Sequence, residues 1–324
     1  MSQSLTLEKD AGARLGRMQQ LASNVAWTES LGRAKAIIVP LSESATGLPI
    51  YCVHSLSGKA TDYIALARML GPGQPLYGIQ MPAKNRNAQF GGEIESVTLP
   101  AIANYYREAL ERFQPSGPLA LGGWSVGSLI AYEMARQLRA RGRDVRLLVA
   151  LDMAPWNSGA DTGPRHLPYL GALLRNALPW AFNHRLFRQP SLQSIRDIIA
   201  QKAAATAATI AAPGGSQVER YLAKDFIDIG KYPPAHVALM QDILDVMLRY
   251  QPGRYDGKVQ VYIARTEISF SHFPKMKAQW LAVAPGAAIM SVAGSHQSMI
   301  EEKTGARLAR HLGGLLASEA VRTA

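Results

Sequence analysis

Gly123, Trp124, Ser125, Val126 and Gly127 form a G-x-S-x-G pentapeptide. A serine between two glycines is a candidate nucleophile wherever a strand turns sharply into a helix. The turn lifts the hydroxyl clear of the sheet, and glycine on both sides removes side chains that would collide with neighbouring backbone. The context fits, since a short apolar run (LALGG) precedes the serine and a segment of helical periodicity (SLIAYEMARQL) follows it. The N-terminus of that helix favours negative charge developing at the site. The chemistry implied is acyl transfer through an ester on Ser125.

Such a serine needs a base, and the base needs an orienting acid. In one class of serine enzymes these follow the nucleophile in the order acid, then histidine. Asp152 ends the next apolar run (LLVALDMAP), and His296 follows the last one (SVAGSHQSM) on a loop before the closing helix. The other six histidines fit less well. His54 ends a strand but precedes the serine, His166 and His184 fall in a segment that breaks the strand–helix rhythm, His236 and His272 do not follow strands, and His311 lies inside the last helix. Glu267, after the run Val259–Ala264, is the alternative acid. The oxyanion of an acyl-transfer intermediate would be held by backbone N–H groups, those of Val126 and, in the loop HSLSG, of Leu56.

The elements that must position these groups alternate between strands and helices. Strands are expected over Pro49–His54, Pro75–Gln80, Leu119–Gly122 and Val145–Leu151, with helices over Tyr63–Leu70, Thr98–Phe113 and Ser128–Arg141 between them. Thr98 is suited to the N-cap of the second helix, with Pro100 in its first turn. The alternation resumes with a helix over Val237–Tyr250, a strand over Val259–Ala264, a helix over Met276–Val283, a strand over Ala288–Val292 and a closing helix over Met299–Leu316. This pattern predicts an α/β fold, a mostly parallel sheet with helices on both faces. Residues from about 156 to 235 carry helical pieces and Pro/Gly breaks without a clear strand, which suits a helical lid inserted over the site. Residues 1–36 repeat Leu15, Met18, Leu21 and Val25 at helical spacing and are expected to form an arm or linker ahead of the main domain, 37–324.

Composition narrows the function classes. The 324 residues are 48% hydrophobic and 18% charged, enough for one large core. The single cysteine, Cys52, rules out an internal disulfide or a cysteine metal cluster, and the first residues lack the apolar core of a signal peptide. A cytoplasmic enzyme without a membrane span, a metal or a bound cofactor is the expectation. The net charge of +11 includes a local cluster, Arg136, Arg139, Arg141, Arg143 and Arg146. No aromatic-interleaved basic stripe accompanies it, so nucleic acid is not the expected partner. The cluster reads either as a solvated helix end or as a dock for an acidic carrier protein.

Four segments together resemble the thioesterase domains of nonribosomal peptide and polyketide synthases. LGGWSVGSLIAYEMARQL, preceded by RFQPSGP, is similar to the family's elbow, LPIYCVHSLSG to its oxyanion segment, LLVALDMAP to its acid-bearing strand and VAGSHQSMI to its histidine loop. Ser55 stands where the family usually has proline and Ser128 where it usually has a second glycine. The resemblance implies an α/β-hydrolase fold, the triad Ser125, Asp152 and His296, and oxyanion donors at Val126 and Leu56. It also implies an acyl or peptidyl carrier protein as partner, presenting the substrate on a phosphopantetheine arm. The motif chemistry alone also accommodates a carboxylesterase or lipase, an acyltransferase, and, with the triad idle, a scaffold.

Overall fold

The computed structural model describes residues 37–42, 46–82, 98–155, 230, 232–265 and 273–321. The expected arm over residues 1–36, almost all of the expected lid, and Glu267 lie outside the described residues.

The apolar runs form strands buried along their length. β2 (Ile50–Val53), β4 (Leu119–Trp124) and β6 (Val259–Ala264) are buried at every residue, and β5 (Val145–Leu151) at all but Arg146. Continuous burial is what a strand covered on both faces requires. With β1 (Ile38–Pro40), β3 (Leu76–Ile79) and β7 (Ala288–Val292) they make one sheet of seven strands in the order β1-β3-β2-β4-β5-β6-β7. Among the described strands only β1 runs antiparallel, pairing with β3 at the edge. The sequence pattern missed β1, because a three-residue strand ending in Pro40 is too short to show a period.

The helices divide by face. On one side α2 (Leu99–Phe113), α3 (Val126–Ala140), α4 (Pro234–Arg249) and α5 (Phe273–Val283) cover residues such as Val53, Leu121, Leu148 and Val261. On the other, α1 (Ile64–Leu70) and α6 (Glu302–Val321) cover Cys52, Ala120, Val149 and Tyr262. Thr98 caps α2 as its sequence suggests, its hydroxyl accepting from Ala101 N–H at 3.3 Å. Helix starts shift by up to three residues. α3, α4 and α5 begin two or three residues before their expected starts, and α6 begins three after, behind a turn over residues 296–300. A 3-10 turn over Ala60–Tyr63 leads into α1.

The strand order fixes where a site can form. From β2 the chain goes to β3 on one side, then returns to β4 on the other, so the loops after β2 and β4 diverge at the carboxyl edge of the sheet. Such a divergence opens a crevice there. Val53 pairs with Gly123 and Trp124 with Leu151, which brings the ends of β2, β4 and β5 side by side. No helix among the described residues is long and apolar enough to cross a membrane.

The arginine cluster lies at the far end of α3 and is tied into the structure. Arg136 pairs with Glu133, Arg141 with Glu111 and Arg146 with Asp144. Arg139 donates to Val145 O, and Arg143 donates to the carbonyls of Gln114, Pro115 and Gly117. Its first member, Arg136, stands eleven residues after Ser125 along α3, about 16 Å. These bonds give the arginines a structural role at this end of α3.

Candidate active site

Ser125 sits between the last residue of β4 and the first of α3, with φ 57° and ψ −134°. A residue with a Cβ rarely adopts such a backbone, at a cost of about 1–3 kcal/mol, so the surroundings must hold it. Its N–H donates to Leu151 O at 3.0 Å, and Ser128 N–H donates to Ser125 O at 2.9 Å. The flanking glycines are obligatory here. A Cβ on Gly123 would lie 2.1 Å from the Gly127 carbonyl group, and one on Gly127 would lie 2.3 Å from Val53 O. The second figure also shows that the first turn of α3 rests against the end of β2.

Ser128, where the family usually has glycine, braces the elbow. Fully buried, its hydroxyl donates to Gly123 O at 2.7 Å and accepts from Leu151 N–H at 3.1 Å, tying both sides of the elbow together. Ser128→Gly leaves the buried Leu151 N–H without that acceptor. Urea unfolding is expected to show a loss of about 1–3 kcal/mol, as for an orphaned buried amide.

The acid and the imidazole meet. His296 Nδ1–H donates to Asp152 Oδ2 at 2.9 Å, and the Asp152 side chain is 1% exposed. The other carboxylate oxygen accepts from Ala264 N–H at 2.7 Å, so β6 fixes the carboxylate in rotation. With its proton on Nδ1, neutral His296 carries a lone pair on Nε2, the form a base requires. Trp124 supplies a link invisible in sequence: its indole N–H donates to His296 O at 2.9 Å, and the two ring centroids are 5.3 Å apart. The residue next to the serine therefore holds the histidine loop.

The loop after β2 has its own tethers. Tyr63 is fully buried and donates its hydroxyl to Val53 O while accepting from Trp124 N–H at 2.7 Å, bridging the ends of β2 and β4. Leu56 is buried, and its N–H has no acceptor among the described residues. The Val126 N–H begins α3 and is one of the donors that a helix cannot satisfy internally. His236, set aside on sequence grounds, donates Nε2–H to Ser57 O at 2.7 Å from the first turn of α4.

His54 is fully buried beneath this loop. Its Nδ1–H donates to Ser55 O at 2.6 Å, so its Nε2 accepts from the Tyr106 hydroxyl at 2.7 Å. Burial pushes its pKa down from 6.5 to about 4. An unfolded histidine takes up a proton as the pH falls through 6.5, whereas the folded one resists until about 4. Stability that is fully present above the unfolded value is therefore lost across this window, by about 3 kcal/mol from this group. Denaturant unfolding from about pH 7 to about pH 4 should show a shallower loss in His54→Gln than in the wild type.

Among the described residues no group of three or more His, Cys, Asp or Glu side chains is placed to hold a metal. Cys52 is buried and its thiol is pushed up to about 12 by desolvation, as an inert core residue.

A family model described as "Thioesterase domain" matches residues 48–211, just over half of the chain. The malpibaldin synthetase of Mortierella alpina is 38% identical over 117 residues, which are 36% of this chain and 2% of that protein. The chondramide synthase of Chondromyces crocatus is 37% identical over 128 residues, 40% of this chain and 3% of that protein. The chain thus spans only a few hundredths of these relatives' length. Among solved structures, the thioesterase domain of NocB from the nocardicin cluster superposes with a TM-score of 0.54 at 23% identity, covering 87% of this chain and 99% of that one. The thioesterase domain that cyclises the lipopeptide surfactin gives 0.53 at 16% identity, covering 87% and 96%.

Proposed function

The chain belongs to the thioesterase domain family, and from that premise we propose that it is a serine hydrolase acting on a carrier-bound thioester. The substrate is an acyl, polyketide or peptidyl chain on the phosphopantetheine arm of a carrier protein, released by hydrolysis or cyclisation. The observation that carries this reading is a strained serine whose neighbour Trp124 holds the loop of His296, itself bonded to the buried Asp152, at the carboxyl edge of the sheet. Relatives named as a dimodular nonribosomal peptide synthase and a non-reducing polyketide synthase support the substrate class.

In this mechanism His296 Nε2 takes the proton of Ser125 as Oγ attacks the thioester carbonyl. The oxyanion is held by the N–H groups of Val126 and Leu56. Collapse of the tetrahedral intermediate breaks the carbon–sulfur bond, and the imidazolium returns its proton to the departing thiolate. Water, or a hydroxyl or amine of the bound chain, then attacks the Ser125 ester with His296 again as base. Asp152 holds the imidazole in its Nδ1–H form and stabilises the imidazolium. The phosphopantetheine belongs to the substrate, and the chain itself is proposed to need no cofactor and to work in the cytoplasm. The carrier approaches the carboxyl edge of the sheet, opposite the arginine cluster.

Intact-mass spectrometry with a panel of acyl and peptidyl N-acetylcysteamine thioesters, alongside matching oxygen esters, tests the reading. The expected result is thiol release and a substrate-sized mass gain mapping to the peptide that contains Ser125. Turnover of oxygen esters alone would replace the reading with an esterase. Failure of both, together with no labelling by a fluorophosphonate, would leave a non-catalytic scaffold.

A further inference from the structure

The loop that follows β2 carries an inversion of the expected chemistry. Where the family resemblance has proline, this chain has Ser55, and a ring that would fix the backbone by itself is gone. In its place stands a polar network. Ser55 Oγ and Ser57 Oγ both donate to the same oxygen, Asp62 Oδ2, each at 2.6 Å. Both serines are buried, 4% exposed. Each hydroxyl also accepts a backbone amide of the loop: Ser57 N–H on Ser55 Oγ at 3.2 Å, and Lys59 N–H on Ser57 Oγ at 3.1 Å.

The remaining amides show the consequence. His54 N–H donates to Ile79 O and Gly58 N–H to Ser55 O. Across 54–59 only the Ser55 and Leu56 N–H groups have no acceptor among the described residues. A carboxylate that accepts two hydroxyl protons aligns both hydroxyl lone pairs toward the backbone, and charge-assisted bonds of this kind are roughly twice as strong as neutral ones. The two hydroxyls also lie 3.2 Å from each other, and Asp62, in the 3-10 turn ahead of α1, is the carboxylate bonded to both, flanked by the buried Ala60 and Tyr63.

We propose that Asp62 is a positioning residue for the oxyanion loop, acting through Ser55 and Ser57 to hold the Leu56 N–H at the site in the absence of the proline. The assignment rests on the proposed acyl-transfer chemistry at Ser125. Asp62 touches no reacting atom. Its effect is on the stabilisation of developing negative charge and therefore falls on kcat rather than on KM.

Asp62→Ala is the direct test, with steady-state kinetics on the best thioester and the rate of fluorophosphonate labelling read together. Loss of a whole oxyanion donor costs on the order of 10²–10³-fold, so loosening one is expected to cost about 10- to 100-fold in kcat with KM held within about twofold. The labelling rate should fall in parallel. Ser55→Pro in the Asp62→Ala background is expected to restore part of the lost kcat, which a merely structural role for Asp62 does not predict. Ser57→Ala, which keeps the Ser55–Asp62 bond, gives a smaller loss of the same kind and stands in if Asp62→Ala does not fold. Wild-type kcat and labelling in Asp62→Ala, or in Ser57→Ala should the first variant fail to fold, would overturn the proposal while leaving the thioesterase reading intact. A wild type that labels but turns over only oxygen esters would sink the thioesterase reading, and the same comparison would then run on the ester.

Discussion

Ser125→Ala should lower kcat by at least about 10⁴-fold and abolish fluorophosphonate labelling while leaving the fold unchanged. The size follows from the role: without the nucleophile there is no acyl-enzyme, and only the oxyanion donors and binding remain to assist water. The fold should survive because alanine keeps the same Cβ at φ 57°, and the bonds that hold the elbow come from backbone and Ser128, not from the Ser125 hydroxyl. Unfolding free energy is expected to stay within about 0.5 kcal/mol of wild type. Ser125→Gly sharpens the test. It removes the same hydroxyl and also the Cβ that makes this backbone costly, so it should be equally inactive yet more stable by about 1 kcal/mol or more. A stable elbow without serine and an active elbow with strain are the two sides of one trade. An Ser125→Ala protein that still releases thiol at more than about one hundredth of the wild-type rate would place the nucleophile elsewhere.

The elbow was legible because its requirements are local. Two glycines, a serine and the switch from a strand to a helical period all fall within one stretch of chain, and the collisions at Gly123 and Gly127 are what that spacing avoids. Asp152 and His296 were legible by a weaker route, their position after strands, since the carboxyl ends of parallel strands gather at one edge. The parallel sheet followed from the burial of whole strands, a property of composition as much as of order.

What stayed hidden depends on contacts between residues far apart in the chain. Trp124 is buried, and its indole N–H fixes a carbonyl 172 positions later in the chain. Tyr63 reads as one more helix residue, although its hydroxyl joins two strand ends. His236 could be dismissed by its neighbours in sequence because its partner, Ser57 O, lies 179 positions away. Nothing near Ser128 in the sequence shows that its hydroxyl will have two partners, Gly123 O in the elbow and Leu151 N–H in β5. β1 was missed for the opposite reason, being too short for a period. The arginine cluster stayed open for a third reason: a run of like charge gives no sign of which carbonyls and carboxylates will occupy it.

Asp152→Asn should cost on the order of 10⁴-fold in kcat with little change in KM, because it inverts the imidazole rather than removing it. In the native site one carboxylate oxygen accepts from Ala264 N–H and the other from His296 Nδ1–H, so both oxygens face donors. An asparagine has only one oxygen to offer. If that oxygen stays on the Ala264 amide, the NH₂ group faces His296 Nδ1, and the ring must move its proton to Nε2 to accept it. Nε2–H cannot take a proton from Ser125. If the amide flips, two N–H groups are forced together at a side chain that is 1% exposed, and the imidazole regains its tautomer only at the cost of a buried clash. The first arrangement is the cheaper, and it is the inactive one. The fold should be kept, and labelling by fluorophosphonate should slow in step with kcat because the same proton transfer is needed. Activity within about tenfold of wild type would show that another acid orients His296, and Glu267 is the residue to replace next. A parallel loss in Glu267→Gln but not in Asp152→Asn would move the acid one strand along the sheet.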